Sequence, residues 1–519
     1  MDIIGERTII DLLHEKCRLH GDKPFLVFED NNKKTTMYTY QTFLQKVNKF
    51  SRVLLDLGIQ KGDRVTLHLP NGSDFIVCWF SLAKVGAVMV PTNILSTANE
   101  MEYYIAHSES VLLITEEEYL EKFQSIQSKL PNLKKILLSR CKNDLYKEIS
   151  MDHLIEKAEG DIPPISLKSD DIVSIMYTSG TTSKPKGCMI THANYLYTGE
   201  AVSKTLNFTP EDRALIVLPL FHGNGQYYLF MPALTVGASV AITERFSASQ
   251  YFKQAKRLHA TVGSLFAAPI RMILAQRFDE ADKENPLRLI IFAQSVTPEQ
   301  LQEFEQKYNV PLLQLYGMTE TVAPPLMNPL YGQKDNTGIG KPILSAEVKL
   351  VDEAGKEVPV NKPGQIIVKG IPGRTIMKGY FKNEKATNET IQDGWLYTGD
   401  NAIMTENGYF YFVDRKKDMI KRAGENVAAM EVENVIMEHP DVYEAAVIGV
   451  PDEMRDEAIK AFVILKEGRQ TTEQELIEHC RNRLSKFKIP NTIEFVKDFP
   501  RTSVGKIQKH LLRKSENVL

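Results

Sequence analysis

Between Phe25 and Ser139, apolar runs of strand length take turns with segments whose apolar residues recur at helical spacing. Phe25–Phe28 and Thr36–Tyr40 flank an Asp30-Asn31-Asn32 turn. Phe43, Leu44, Val47, Phe50, Val53, Leu54 and Leu57 then follow the helical period and stop at Gly58. Arg64–Leu69 reads as a strand and Phe75–Pro91 as a buried helix leading into a strand. Tyr103–His107, Val111–Thr115 and Ile136–Ser139 continue the pattern. This alternation predicts an α/β fold, with largely parallel sheets covered on both faces by helices. At 519 residues the chain is too long for one core, and about three structural units are expected.

The texture changes from Ala346. Glu347–Val351, Gly364–Lys369 and Tyr409–Val413 alternate with period two between Asn, Pro and Gly turns, which predicts a small β subdomain. The charged run Asp414–Lys421 reads as an exposed linker and marks a domain boundary. Beyond it, a helix over 429–438, strands over 443–450 and 458–465, a helix over 472–485 and a strand over 492–496 predict a compact α+β module.

Hydrophobic content of 43% and charged content of 25% are those of an ordinary globular protein. A net charge of −3, with no uncompensated Lys/Arg stretch, argues against a nucleic-acid partner. The N-terminus lacks a signal-peptide pattern, and Phe75–Pro91, interrupted by Lys84 and Gly86, falls short of the ~20 residues of a membrane helix. Cys17, Cys78, Cys141, Cys188 and Cys480 show neither CxxC spacing nor His clustering. The expectation is a soluble cytoplasmic protein with no integral membrane association; nothing in the sequence fixes its oligomeric state.

Tyr177–Gly187 reads Tyr-Thr-Ser-Gly-Thr-Thr-Ser-Lys-Pro-Lys-Gly between the strand-like runs Ile172–Met176 and Cys188–Ile190. Glycine lets backbone N–H groups approach a phosphate, hydroxyls donate to its oxygens and lysines supply charge. The order is not a Walker A loop, since Pro185 stands five residues after Gly180 and Lys186 precedes Gly187. Read alone, the stretch also fits a polar surface turn. Other strand ends carry similar chemistry. Arg213–Leu220 runs into Phe221-His222-Gly223-Asn224-Gly225-Gln226, Leu287–Phe292 into Ala293-Gln294-Ser295, and Leu312–Leu315 into Tyr316-Gly317-Met318-Thr319-Glu320-Thr321. Ligands of α/β sheets gather at such ends. By itself His222 reads equally well as a core histidine, and Glu320 as a helix-start acid.

Taken together, six segments resemble in order the acyl-adenylate-forming superfamily of acyl- and aryl-CoA synthetases, peptide-synthetase adenylation domains and firefly luciferase. They are Tyr177–Gly187, Leu218–Gly225, Tyr316–Glu320, Tyr397–Asp400, Asp414–Val427 and Pro500–Ile507. Within it the chain most resembles the bacterial crotonobetaine/carnitine–CoA ligases, through Met1–Gly5, Cys78-Trp79-Phe80, Lys369–Phe381, Phe410–Asn426 and Arg455–Phe462. The resemblance implies ATP, Mg²⁺ and CoA as reactants and cofactor, with a small carboxylic acid as substrate. It divides the chain into an adenylation domain over 1–414, a hinge over 415–417 and a mobile C-terminal domain over 418–519.

The same resemblance implies roles for particular residues. Thr178, Ser179, Gly180, Thr181, Thr182, Lys184 and Lys186 would cradle the departing phosphates. Glu320 would bind Mg²⁺, Thr319 would contact the α-phosphate, and Lys506 would be the main adenylation residue. Tyr316, Gly317, Gln294 and Ser295 would enclose adenine, while Asp400 and Arg415 would hold the ribose. Lys417 would be the hinge, and Gly424, Glu425 and Asn426 would line the CoA tunnel. His222, Asn224, Gln226, Gln294, Met318, Val322 and Ala323 are the acyl-pocket candidates.

Two departures stand out: Ser183 occupies a position usually held by glycine, and Gln294 narrows or polarises the pocket floor, against a long fatty chain. Loading of a carrier protein instead of CoA remains the second enzymatic reading, beside a fatty- or aryl-acid CoA ligase. A non-catalytic nucleotide binder is disfavoured by the presence of Lys506, Glu320 and Asp400.

Overall fold

The computed structural model describes residues 4–178, 184–415, 418–422, 425–452, 456–501 and 507–516, without the side chains of Arg415, Glu425, Asn426, Asp456, Ser515 and Glu516. The alternation of strands and helices builds two sheets. One has seven strands in the order Gly379–Tyr380, Lys186–Thr191, Ile172–Thr178, Val88–Pro91, Arg64–His68, Leu112–Glu116 and Lys135–Ser139. From Ile172–Thr178 onward these strands are parallel, while Lys186–Thr191 folds back as an antiparallel hairpin partner.

The other sheet has nine strands. Its parallel centre runs Leu312–Tyr316, Leu289–Ala293, Val262–Phe266, Arg213–Ile216, Ser239–Thr243 and Pro24–Glu29. Antiparallel strands close both edges. The fold class is therefore the expected one.

A single apolar cluster joins the two sheets through the helices Tyr40–Asp56, Ser73–Val85, His192–Thr205 and Met231–Val236. Val65, Leu67 and Met176 enter it from one sheet, and Leu26, Ala214 and Ile291 from the other. The Ser73–Val85 helix is buried on nearly every side, which is why its sequence is apolar throughout rather than striped. Threonine sets many helix starts: Thr8, Thr39, Thr97, Thr191, Thr297 and Thr472 each open a reciprocal capping box.

The period-two segments form an antiparallel sheet of Glu347–Val351, Pro363–Lys369, Trp395–Met404, Ile391–Gln392 and Phe410–Arg415. The last hundred residues form a separate five-stranded sheet with its own apolar cluster around Val432, Val447, Ala461 and Leu476. No helix among the described residues is long and apolar enough to cross a membrane.

Apart from shifts of one or two residues, three readings of the sequence are corrected. The run Asp414–Lys421 is not simply an exposed linker: Asp414 is buried in the Phe410–Arg415 strand, and Met419–Arg422 is a strand that buries Ile420. The Arg213 strand ends at Ile216 rather than Leu220. From there the Asn71 side chain replaces a neighbouring strand, donating to the Leu218 carbonyl at 3.0 Å and accepting from the Leu220 N–H at 2.8 Å. The helix expected over 472–485 stops at Arg481, with Asn482 as its cap.

Candidate active site

The site lies where both parallel sheets end. The hairpin of Ile172–Thr178 and Lys186–Thr191 presents the hydroxyl-rich loop, and its base is anchored on the Ala98–Ser108 helix. Tyr103 donates to the Pro185 carbonyl at 2.8 Å, and the Tyr177 hydroxyl lies 2.7 Å from His107 Nδ1. Burial holds the Tyr177 phenol protonated and the His107 ring neutral, so this contact is an uncharged one. Thr178 Oγ1 donates to the Lys186 carbonyl at 3.3 Å. Lys184 Nζ sits 5.2 Å from the Tyr103 ring centroid, and Lys186 Nζ 4.6 Å from that of Tyr380.

Glu320 is buried on a one-turn 3₁₀ segment, Thr319–Thr321, immediately past the Leu312–Tyr316 strand. Its Oε1 accepts from the Tyr380 hydroxyl at 2.8 Å, and its carbonyl accepts from the Met377 N–H at 2.9 Å. Tyr380 reaches it because Gly379–Tyr380 pairs with Met189 and Cys188 on the hairpin. Burial, reinforced by the neighbouring Glu320 carboxylate, pushes the Tyr380 phenol and the Cys188 thiol upward, so both stay protonated. Tyr380 is thus a fixed donor and Cys188 no nucleophile. Among the described residues no three His, Cys, Asp or Glu side chains gather as a metal cage. One buried carboxylate oriented by a hydroxyl suits Mg²⁺, which keeps most of its waters and takes remaining ligands from phosphate.

Four residues before Glu320, Tyr316 donates to Asp400 Oδ2 at 2.7 Å, pinning a buried carboxylate on the Trp395–Met404 strand. Gly317 follows, and a Cβ there would lie 2.4 Å from the Tyr228 hydroxyl and 3.3 Å from Pro324 Cα. The close approach of these walls therefore requires glycine. Thr319, Met318 and Ser295 are half-buried around this turn. Val322, fully buried, holds φ 63° and ψ −78°. For a β-branched residue that is strain of order ~1–3 kcal/mol, of the kind that clusters at ligand sites.

The acyl-pocket candidates fall into distinct environments. Asn224 to Phe230 form a π-helical segment, a rare geometry favoured at functional sites. Gln226 is fully engaged: its Nε2 donates to the Leu220 carbonyl at 2.5 Å, and its Oε1 accepts from Tyr195 at 2.6 Å. Asn224 Oδ1 and Gln294 Nε2, by contrast, are buried without a hydrogen-bond partner among the described residues. Gln294 adopts φ 78°, and its carbonyl accepts from Gln314 Nε2 at 3.2 Å. His222 is half-buried at the start of this segment, its ring 4.2 Å from that of Phe221. Ala323 is buried beside Val322.

Ser179, Gly180, Thr181, Thr182, Lys417, Gly424 and Lys506 lie outside the described residues, as do the side chains of Arg415, Glu425 and Asn426. Sequence reasoning missed Tyr380, which supports Glu320, and Tyr103 and His107, which support the loop. Their partners are distant in the chain, and only the sheet register brings them together.

Comparison with known proteins gives the class first. A profile of the AMP-binding enzyme matches residues 13–381, and one of the AMP-binding enzyme C-terminal domain matches 431–506. The chain belongs to the AMP-binding enzyme family and is an adenylate-forming acid–CoA ligase, a class that uses ATP, Mg²⁺ and CoA.

Within the family, it is 35% identical to the crotonobetaine/carnitine–CoA ligase of Salmonella paratyphi B, over 99% of this chain and 100% of that protein. It is 36% identical to the Shigella sonnei protein of the same name, with the same coverage. The anthranilate–CoA ligase AuaEII in complex with anthranoyl-AMP superposes with a TM-score of 0.90, at 27% identity over 99% of this chain and 98% of that one. Two structures of MatB from Rhodopseudomonas palustris also superpose: the ATP-bound form at a TM-score of 0.86 and the ligand-free form at 0.75, each at 26% identity over 97% of this chain and 98% of that one.

Proposed function

We propose that this ligase activates a short, polar carboxylic acid of the carnitine or crotonobetaine type and passes it to CoA. In the first half-reaction a carboxylate oxygen attacks the α-phosphorus of ATP. The bond to the β-phosphate breaks, pyrophosphate leaves, and an acyl-adenylate remains. In the second the CoA thiol, losing its proton, attacks the acyl carbon and expels AMP. Catalysis of the first step is mainly positioning and charge neutralisation.

In this reading Thr178, Ser179, Gly180, Thr181, Thr182, Lys184 and Lys186 grip the leaving pyrophosphate. Glu320, aimed by Tyr380, holds Mg²⁺, which when bound acts as a Lewis acid and template. Thr319 contacts the α-phosphate. Tyr316, Gly317, Gln294 and Ser295 flank adenine, while Asp400 and Arg415 take the ribose hydroxyls. Lys506 neutralises charge at the reacting carboxylate and phosphate. Residues 1–414 form the adenylation domain and 418–519 the mobile small domain, turning about Lys417 to bring Gly424, Glu425 and Asn426 to the CoA channel. All five cysteines are free thiols, in keeping with a cytoplasmic location.

The observation that carries the substrate class is the pair of unsatisfied buried amide atoms, Asn224 Oδ1 and Gln294 Nε2. A buried acceptor and donor left unmade cost about 1–3 kcal/mol each. A hydroxyl such as carnitine's relieves that cost at both atoms, and a quaternary ammonium such as crotonobetaine's can face only the Asn224 oxygen, through its dipole, whereas a plain alkyl chain relieves neither. The full-length similarity to crotonobetaine/carnitine–CoA ligases points the same way. An aryl acid is the second reading, favoured by the superposition on the anthranilate–CoA ligase; a fatty acid or a carrier-protein acceptor completes the alternatives. Mass spectrometry of reactions with ATP, CoA and carnitine, crotonobetaine, short-chain, long-chain or aryl acids decides among them. The highest kcat/KM is expected for a polar short acid, and preference for a long-chain or unsubstituted aryl acid would overturn the reading.

A further inference from the structure

Glu444, on the Val442–Asp452 strand of the C-terminal sheet, is buried between two guanidiniums. Arg271, on the Ala267–Leu274 helix of the large part, approaches Oε1 at 3.1 Å. Arg501 lies 3.3 Å from the same oxygen and makes a shorter bond to Oε2. The side chains of Arg271 and Glu444 are only 10% and 7% exposed, so solvent screens this contact little. Arg271 also donates to the Ser295 carbonyl at 3.4 Å, and Ser295 Oγ reaches Met430 Sδ at 3.4 Å beside it. Arg501 bridges to Ile507, so the two residues that bound the segment carrying Lys506 are paired.

The chain from the Ser295 loop to Arg501 therefore runs through one carboxylate. Arg501 holds Glu444 through both oxygens inside the C-terminal part, and the single desolvated contact from Arg271 to Oε1 is lost when the two parts move apart, which makes it a two-state element. The present arrangement superposes better on the ATP-bound than on the ligand-free form of MatB. We propose that Arg271 and Glu444 are positioning residues for adenylation, clamping the C-terminal part against the Ser295 loop during the first half-reaction. The proposal rests on the two-half-reaction reading above.

The test uses the full-length enzyme, with acyl-adenylate formation and thioester formation from pre-made acyl-adenylate measured separately. Wild-type activity in both assays secures the underlying reading, and absence of either removes that reading rather than the clamp alone. Arg271→Met and Glu444→Gln are each expected to slow adenylation by roughly 5- to 150-fold, the usual span of a coupling between two sites, with thioester formation changed less than about 2-fold. The double variant should lose less than the product of the two single effects, because the Arg271–Glu444 contact is removed only once, although each residue also has a partner of its own. Equal loss in both half-reactions, loss in neither, or an effect of Arg271→Met without Glu444→Gln would overturn the proposal. The last pattern would assign the effect to the Ser295 carbonyl instead. If Arg271→Met does not fold, Arg271→Lys, which keeps the charge but not the fork, must show the same selective loss in weaker form.

Discussion

Replacing Tyr380 by Phe removes one oxygen atom and tests how Glu320, the proposed Mg²⁺ ligand, is held. The ring is 5% exposed and packs the same way in either residue, and the face below Lys186 Nζ, 4.6 Å from its centroid, is retained. The interactions lost are the donation to Glu320 Oε1 at 2.8 Å and the hydroxyl's side-chain hydrogen bond with Thr390. A hydrogen bond to a charged group contributes about 1.5–3 kcal/mol, roughly 10- to 150-fold in an equilibrium constant. Removal of a residue that orients a metal ligand typically weakens metal binding about 10- to 100-fold. Tyr380→Phe is therefore expected to raise the Mg²⁺ concentration for half-maximal adenylation by about 10- to 100-fold. Thioester formation from pre-made acyl-adenylate should be spared. The assay is ATP–pyrophosphate exchange titrated with Mg²⁺, alongside thermal unfolding to check the fold. An unchanged Mg²⁺ requirement in a folded variant would refute the assignment of Tyr380, and an equal loss in both half-reactions would refute the role of Glu320 in the first.

Other outcomes follow from the same geometry. Gly317→Ala places a methyl 2.4 Å from the buried Tyr228 hydroxyl; overpacking of about 1–3 kcal/mol should lower the melting temperature and raise the KM for the acid, and unchanged values would show that the walls yield. Lys506→Ala should nearly abolish adenylation while leaving thioester formation from acyl-adenylate intact, and equal loss in both steps would contradict its place in the cycle. Stability should fall on acidification. His68 and His192 are buried, and their protonation is depressed to about 3 and about 4, chiefly by desolvation; His192 Nδ1 also accepts the Ile9 N–H at 3.3 Å. The unfolded chain takes up these protons near pH 6.5 and the folded one does not, so stability is full above that value and is lost as pH falls toward 4. The drop of His192 from 6.5 to about 4 alone corresponds to about 3 kcal/mol, and denaturant midpoints that stay level between pH 7 and 4.5 would contradict it.

The sequence made the fold and the outline of the site legible because both rest on local patterns. The helix of Phe43, Val47 and Phe50 follows from periodicity and the Thr39 cap. The strands at Leu112–Glu116 and Glu347–Val351 follow from period and punctuation. Strand ends rich in Gly, Ser, Thr and single acids pointed to the rim that Tyr316 and Glu320 now line. Pairing between distant segments was not legible. Nothing near Tyr380 announces that its strand partners Cys188, and nothing near Tyr316 announces Asp400, 84 residues away. The Arg213 strand was read too long because its end is made by Asn71, a side chain from another sheet's connection. The π-helical turn at Asn224 and the strained Val322 likewise depend on tertiary packing that overrides local preference.

The most direct test of the central claim is to supply the purified protein with ATP, Mg²⁺, CoA and whichever acid of the panel gives the highest kcat/KM, and to follow all products by mass spectrometry. One acyl-CoA, one AMP and one pyrophosphate should form together, and without CoA an enzyme-bound acyl-adenylate should accumulate. ADP and phosphate as products, or AMP release with CoA left unacylated, would contradict the account.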